Sequence, residues 1–334
     1  MKSIVCFGEA LIDFIAEAAV DTQHARIFHQ HAGGAPANVA AAVARLGGNS
    51  EFVGMFGRDM FGNFLIERLH AAGVSTRYVR RTAVAKTALA FVALDAHGER
   101  SFSFYRPPSA DLLFRDEHFD DACFANARIF HVCSNSLTDD GIAQTTLSGM
   151  ARARAAGALV SMDMNLRPSL WPRDADPLPL LWQALRAADV VKLANEELAY
   201  LATHGTGERA ALEHLLTSAR VVIVTNGPDV VRWFTRTTTG QVPAMRVPVV
   251  DTTAAGDAFV GGLLFAMAER GITAATLEKL LADGPSWSEV LRFATACGAL
   301  TVTRLGAFAA MPELAEVEAL LAQNGVRIAR ASGA

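Results

Sequence analysis

The sequence has few lysines, few cysteines and no long hydrophobic run. Only four of its 30 basic residues are lysine and the formal net charge is −4, which argues against a nucleic-acid partner. The four cysteines form no CxxC pair and lie in apolar runs, so buried thiols in a reducing cytosol are expected. The longest apolar stretch of a plausible helix, residues 258–268, is well short of the ~20 residues that span a bilayer. We therefore expect a cytoplasmic protein with no membrane partner.

Two common phosphate-binding signatures are also missing. The chain contains no Gly-Lys dipeptide, so the P-loop motif GxxxxGK[ST] is absent. No GxGxxG follows the first predicted strand, which argues against a dinucleotide-binding dehydrogenase. Both glycine-rich nucleotide-binding classes are therefore disfavoured.

The composition that is present suits a large folded core, since hydrophobic residues make up 51% of the chain and charged residues 19%. Short apolar runs alternate with helical patterns, which predicts an α/β fold with a mainly parallel sheet and helices on both faces. The predicted strands are 4–7, 52–56, 129–133, 159–164, 189–193, 221–225 and 230–235. The predicted helices are 37–46, 61–72, 139–156, 196–203, 209–218, 258–270 and one that has Pro312 in its first turn and ends near residue 325.

Two segments break this alternation. Residues 87–94, a turn at 95–98 and residues 100–105 predict a β-hairpin, and residues 13–32 have a weaker hairpin pattern. We expect the two to pair as a small antiparallel sheet, a lid over the strand ends where α/β proteins bind ligands. The exposed edges of such a lid predict a homodimer that assembles through it. The chain is thus predicted as one unit, 1–334, with a core at 1–12, 33–84 and 108–334 and a β lid at 13–32 and 85–107.

Residues 249–257, which read VVDTTAAGD, carry the clearest chemical signal. They follow a strand-like run and open a predicted helix, and unpaired N–H groups at a helix start form a cradle for phosphate. Asp257 would stand at the mouth of this cradle and take a proton from a hydroxyl that attacks the phosphate. The alternative interpretation is that Asp257 only caps a buried helix.

A second cluster lies near the start of the chain, where Gly33 and Gly34 precede Asn38 on an otherwise apolar helix. Asparagine is a poor helix former, so its presence calls for a reason. Asn38 either bonds the local backbone or reads substrate hydroxyls with its amide. In the second case Asp13 would accept hydrogen bonds from two more hydroxyls.

Four ordered motifs then suggest a family. They are Gly33-Gly34 with Asn38, FVGMFGRD at 52–59, NEE at 195–197 and DTTAAGD at 251–257. In this order and spacing they resemble the ribokinase-like (PfkB) sugar kinases, over about residues 4–312. Within that family, GEALID at 8–13, SFSFYR at 101–106, DMNLRPSLW at 163–171 and ACGALT at 296–301 are most similar to fructokinases.

The resemblance implies a three-layer α/β/α ribokinase-like domain with a β-sheet lid. It also implies that the protein transfers the γ-phosphoryl of ATP to a hydroxyl of a small sugar, with D-fructose as the favoured substrate. Asp257 would be the general base, and the N–H groups of Ala254, Ala255, Gly256 and Asp257 would form the anion hole. Sugar contacts would come from Asp13, Gly33, Gly34, Asn38, Arg106, Arg167 and Asp257. Nucleotide contacts would come from Lys192, Asn195, Thr225, Gly227, Ala255, Gly256 and Thr295. Glu196, with Asn195, would position Mg²⁺ through water, and Asp251 and Thr253 belong to a possible K⁺ site.

Three positions depart from the family pattern. Family members usually carry glycine where this chain has Ala254, and the φ values that glycine permits would cost alanine roughly 1–3 kcal/mol. On the adenine side, Thr295 replaces a common asparagine and Asp229 stands where a glycine often follows the strand. Other substrates remain open, namely 2-keto-3-deoxygluconate, ribose or a nucleoside such as aminoimidazole riboside. A catalytically weakened sugar-binding regulator is a further alternative, although such a protein would not need Asp257 as a base.

Overall fold

Two β-sheets organise the molecule in the computed structural model, which describes residues 2–17, 27–94, 100–203 and 207–326. The strands are β1 (Ser3–Phe7), β2 (Leu11–Ala16), β3 (Phe28–Gly33), β4 (Ser50–Gly57), β5 (Ser75–Thr82), β6 (Leu89–Leu94), β7 (Arg100–Tyr105), β8 (Ala127–Cys133), β9 (Leu159–Asp163), β10 (Val190–Ala194), β11 (Val221–Thr225), β12 (Val230–Phe234) and β13 (Thr239–Pro243). Within the described residues the larger sheet has nine strands in the order β13-β12-β11-β10-β9-β8-β1-β4-β5. Its pairs are parallel except at one edge, where β11, β12 and β13 run antiparallel. The predicted mainly parallel sheet is confirmed.

Helices cover both faces of the large sheet. They are α1 (Ala35–Arg45), α2 (Met60–Ala71), α3 (Asp121–Ala125), α4 (Asp140–Ala155), α5 (Leu178–Arg186), α6 (Asn195–Thr203), α7 (Glu208–Leu215), α8 (Ala255–Glu269), α9 (Leu277–Ala282), α10 (Gly284–Thr301) and α11 (Leu314–Gln323). Alternate residues of β1 enter opposite hydrophobic layers: Ile4 and Cys6 pack with α1, α8 and α10, whereas Val5 and Phe7 pack with α3 to α7. A strand covered on both sides must be apolar throughout, which is why these runs were recognisable in the sequence.

The smaller sheet has the order β3-β2-β6-β7. Its two hairpins, β2 with β3 and β6 with β7, are antiparallel as expected. The strands that join the hairpins, β2 and β6, run parallel, so the sheet is mixed rather than wholly antiparallel. The predicted turn at 95–98, like residues 18–26 of the other hairpin, lies outside the described residues.

Several elements were missed or placed differently. Strands β5 and β13 lie at the two edges of the large sheet and read STRYVRRT and TGQVP, which lack an apolar run. Helix α5 and most of α10 were also not predicted. Helix α11 begins at Leu314, so Pro312 precedes the helix instead of occupying its first turn.

The four cysteines are buried free thiols, as predicted. Among the described residues, no helix is both long and apolar enough to cross a bilayer.

Candidate active site

Asp257 and Asn38, which are 219 positions apart in the sequence, meet at the centre of the site. Asp257 lies in the first turn of α8 and Asn38 in the first turns of α1, and both side chains are buried. The Asn38 Nδ2 donates to Asp257 Oδ2 at 2.7 Å. Asn38 therefore contacts the candidate base directly instead of capping its own helix. Its contact with substrate hydroxyls stays a prediction.

Burial raises the pKa of Asp257 to about 6, from an ordinary value of 3.8. The Asn38 hydrogen bond lowers this pKa, the negative charge of Asp163 raises it, and Arg167 and Lys192 lower it. A carboxylate with a pKa near the working pH both accepts a proton readily and is largely ionised, which suits a general base.

A buried ion pair lies beside this carboxylate. Lys192 on β10 places its Nζ 3.1 Å from each oxygen of Asp163, the last residue of β9. A Cβ added at Gly256 would lie only 3.3 Å from the same Nζ, so the ammonium sits against the amino end of α8. Burial lowers the Lys192 pKa, but the carboxylates of Asp163 and Glu197 raise it above its ordinary value, so the group stays charged.

The two glutamates at the start of α6 face different surroundings. Glu196, the predicted Mg²⁺ residue, is exposed. Glu197 is buried, and its two oxygens accept hydrogen bonds from the N–H groups of Leu166 and Ala194, each at 2.7 Å. Its pKa is raised, mainly by burial and by Asp163. Of these two glutamates, Glu197 is therefore the one that acts on the ion pair. The sequence analysis missed it because NEE does not show which glutamate turns inward.

The residues of the predicted anion hole lie at the amino end of α8. Ala254 precedes the helix with φ 59° and ψ 12°, a left-handed conformation that is uncommon for a residue with a Cβ. As at every helix start, the first amides of α8 lack an intrahelical acceptor. The Ala255 N–H donates outside the helix, to the Thr252 carbonyl at 3.4 Å. The expectation that position 254 needs a glycine-like φ is confirmed.

We expect Ala254→Gly to stabilise the protein without a large change in rate. Alanine already adopts the left-handed conformation in the folded chain, so its cost of about 1–2 kcal/mol reduces folding stability and not the rate of the chemical step. Part of the gain is offset because glycine loses more entropy on folding, so a net gain of up to ~1 kcal/mol is expected. Thermal unfolding measures the gain, and a tenfold or larger rise in kcat would contradict this assignment.

Most of the predicted sugar residues lie near the start of α1 or near Asp257, whereas Arg106 is held in a buried ion pair. Asp13 packs so closely on Gly33 that a Cβ there would meet its Oδ2 at 2.1 Å. Gly34 has φ +102° and caps α1. Arg167 is exposed, yet close enough to lower the Asp257 pKa. Arg106 is instead buried, and its Nε forms an ion pair with Asp111 Oδ2 at 2.8 Å; its contact with sugar stays a prediction.

The predicted nucleotide residues lie at the ends of β10 and β11 and on α10. Thr225 is the last residue of β11, and Gly227 follows it with φ +51°. The Asn195 Oδ1 accepts from Arg232 Nη2 at 2.9 Å. Thr295 on α10 is buried and its hydroxyl donates to the Arg292 carbonyl at 2.8 Å. The carboxyl ends of parallel strands are where α/β proteins bind ligands, so this placement is compatible with nucleotide binding.

The predicted K⁺ residues form a compact loop before α8. The buried Asp251 accepts from the Thr253 N–H at 2.8 Å through Oδ1 and from the Gly306 N–H at 3.1 Å through Oδ2. This carboxylate therefore ties the loop before α8 to the segment after α10. Its role as a cation ligand stays a prediction.

Comparisons with known proteins find relatives along almost the whole chain. Residues 1–314 match the model of the pfkB family of carbohydrate kinases. The chain is 41% identical to probable fructokinase-7 of Arabidopsis thaliana, over 96% of this chain and 93% of that protein. It is 40% identical to fructokinase-2 of Zea mays, over 96% and 94%.

Two solved structures share the fold over almost their whole length. A crystal structure of fructokinase with bound ATP from Xylella fastidiosa is 55% identical, has a TM-score of 0.93 and matches 97% of this chain and 99% of that one. A fructokinase from Vibrio cholerae O395 in a form with bound fructose, ADP and calcium ion is 32% identical, with a TM-score of 0.82 over 96% and 99%.

Proposed function

Because this chain belongs to the pfkB family of carbohydrate kinases and is an ATP-dependent sugar kinase, we propose that its sugar substrate is D-fructose. The observation that carries the proposed chemistry is the Asp257 carboxylate, held by Asn38 at the amino end of α8 with a pKa near neutrality. Relatives named fructokinase cover nearly the whole chain and support the choice of sugar.

In the proposed reaction, Asp257 accepts the proton of the attacking sugar hydroxyl as its oxygen forms a bond to the γ-phosphorus. The bond from that phosphorus to the bridging oxygen breaks, and ADP leaves with the electron pair. The amides at 254–257 and the Lys192 ammonium face the negative charge that develops on the transferred group. Asp13, Gly33, Gly34 and Asn38 hold the sugar, and Arg167 contacts the sugar or the phosphoryl group.

We further propose Mg²⁺ as the metal that accompanies ATP. In the part of the chain described, no group of three His, Cys, Asp or Glu side chains is arranged to hold a metal ion. Mg²⁺ is commonly bound by substrate phosphates, waters and only one or two carboxylates, so the isolated acids at the start of α6 fit it. Glu196, through water, or the buried Glu197 would position the ion, which neutralises phosphate charge when bound. K⁺ at Asp251 and Thr253 is proposed on the loop geometry alone.

Fructose-dependent formation of ADP from ATP and Mg²⁺ tests the substrate. We expect saturable turnover with D-fructose and a kcat/KM at least tenfold above that with ribose, 2-keto-3-deoxygluconate or aminoimidazole riboside. Thermal stabilisation by each compound gives a second measure, since a ligand that binds only the folded state raises its melting temperature. If another compound gives a higher kcat/KM, that compound and not fructose is the substrate. Sugar binding with no turnover would favour the alternative that the protein is a sugar-binding regulator.

We also propose that the small sheet is a lid over this site and that two copies of the chain assemble through it. The lid comprises 13–32 and 85–107, and the rest of the chain is the core. Strands β3 and β7 are edge strands, and Ile27, Phe28 and Tyr105 are exposed beside them. Unpaired edges and apolar side chains favour pairing with a second copy. A mass of 35.6 kDa, that of one chain, in light scattering at micromolar concentration would contradict this assembly.

A further inference from the structure

A buried polar network lies beside the amino end of α1, and its acid, Glu9, has no part in the chemistry described above. Glu9, two residues after β1, is 1% exposed. Its Oε1 accepts one hydrogen bond from the Ala35 N–H at 3.2 Å and another from Asn135 Nδ2 at 3.0 Å. A single carboxyl oxygen therefore fastens the first residue of α1 to the loop that follows β8.

Arg106 connects the small sheet to the same loop. It directly follows β7 and is 2% exposed. Its Nη1 donates to the Asn135 carbonyl at 2.6 Å and to Thr138 Oγ1 at 3.1 Å, while its Nε pairs with Asp111. Asn135 thus binds Arg106 through its backbone and Glu9 through its side chain. This one residue therefore links the end of strand β7 in the small sheet to the start of helix α1.

Close backbone packing makes this junction stiff. A Cβ at Gly34 would meet the Glu9 carbonyl oxygen at 2.7 Å, so the chain before α1 lies directly on Glu9. The charged groups that act on the Glu9 carboxyl are Arg106, which lowers its pKa, and Asp111, which raises it. Burial raises the Glu9 pKa above its ordinary value. A glutamine at this position would keep a side-chain oxygen that can accept from the Ala35 N–H.

We propose that Glu9 is a positioning residue for phosphoryl transfer, an inference that rests on the proposed function. By holding the Ala35 N–H, Glu9 fixes the start of α1, and one turn later Asn38 keeps its 2.7 Å hydrogen bond to Asp257. Through Asn135 and Arg106, the same contacts connect the start of α1, and with it Asn38, to the end of β7 in the small sheet. Glu9 itself touches neither Asp257 nor the reacting atoms in this role.

The test compares Glu9→Ala with Glu9→Gln in fructose phosphorylation as a function of pH. Loss of the Glu9 bonds loosens Asn38, whose hydrogen bond lowers the Asp257 pKa, so the acid limb of kcat moves to higher pH in Glu9→Ala. We expect kcat/KM for fructose at pH 7 to fall about three- to tenfold, the size of one lost hydrogen bond. The other groups that act on Asp257, which are Asp163, Arg167 and Lys192, are unchanged. Glu9→Gln keeps an acceptor for Ala35 and should stay within about twofold of wild type.

Glu51→Ala is the matched control for loss of a buried glutamate. Glu51 is 5% exposed and pairs with Arg77 at 3.2 Å, but it lies at the amino end of β4, away from the site. We expect this variant to lower the melting temperature with an unchanged pH profile and fructose KM. If Glu9→Ala behaves in the same way, Glu9 is only structural and the proposal is wrong.

A second variant covers the case in which Glu9→Ala does not fold. Asn135→Ala removes one of the two bonds to Glu9 and leaves the Ala35 bond, so a smaller shift of the acid limb in the same direction is expected. An unshifted limb would overturn the inference. If the wild-type chain turns over no sugar at all, the proposed function fails and the inference fails with it, which separates that result from a failure of Glu9 alone.

Discussion

Asp257→Asn should lower kcat for fructose phosphorylation about 10²- to 10⁴-fold and leave fructose affinity nearly unchanged. Asparagine has almost the same shape and can still accept the hydrogen bond that Asn38 Nδ2 donates at 2.7 Å in the wild type. The variant therefore keeps the shape and this hydrogen bond but loses the negative charge and the ability to take up a proton. Steady-state kinetics measure the rate, and calorimetric titration with fructose measures the affinity. Turnover equal to that of the wild type would show that Asp257 is not the base.

The pH dependence provides an independent check on the same residue. The ionised form of Asp257 accepts the proton, so wild-type kcat should fall about tenfold per pH unit below its pKa of about 6 and level off above it. Asp257→Asn should lack this acid limb.

The free energy of unfolding should change with pH in the direction opposite to kcat. The folded-state pKa of Asp257 lies above its ordinary value of 3.8, so the folded chain binds a proton more tightly than the unfolded chain. The contribution of Asp257 to wild-type stability therefore declines as the pH rises from about 4 to about 6, by up to ~3 kcal/mol. We expect Asp257→Asn to melt at a higher temperature than the wild type at pH 8, with the difference shrinking towards pH 4. A constant difference would argue against a raised pKa.

Lys192→Met should lower kcat/KM for ATP about 10²- to 10³-fold, as the loss of one preorganised donor at developing charge does in other enzymes. The reason is the position of Nζ, which lies against Gly256 at the amino end of α8. The substitution also leaves Asp163 buried without its partner, which costs roughly 3–5 kcal/mol of folding stability.

The double variant Asp163→Asn with Lys192→Met separates these two effects. It removes both buried charges, so the melting temperature should recover most of its loss while kcat/KM for ATP stays low. Circular dichroism on heating and coupled-assay kinetics measure the two quantities. Recovery of both would show that Lys192 only compensates Asp163, and its predicted nucleotide contact would be wrong.

The interior of the fold could be predicted because its signal is local. Strands such as β1 and β11 are apolar throughout, which follows from burial on both faces and needs no knowledge of their neighbours. The edge strands β5 and β13 escaped detection because an edge strand has fewer neighbours and tolerates polar residues. The left-handed conformation of Ala254 was predicted on other grounds, because the family that the motif resembles usually carries glycine at this position.

The roles of individual side chains were less predictable, because they depend on direction as well as position. NEE marks the start of α6, but only the register of the helix against β9 and β10 turns Glu197 inward and Glu196 outward. Arg106 lies in a motif similar to that of fructokinases, yet the loop at Asp111 captures its guanidinium in a buried ion pair. Burial of a charge requires a partner, and the partner came from outside the motif.

By itself the sequence determined the α/β architecture, the hairpins of the small sheet and the loop that ends in Asp257, since periodicity and motif spacing are properties of neighbouring residues. Only the tertiary structure decided that Asn38 would reach Asp257 across 219 positions, that Lys192 would lie between Asp163 and Gly256, and that Glu9 would hold the start of α1. The strength of a hydrogen bond and the pKa of a buried acid depend on which atoms folding brings within a few ångströms and how much water it removes around them.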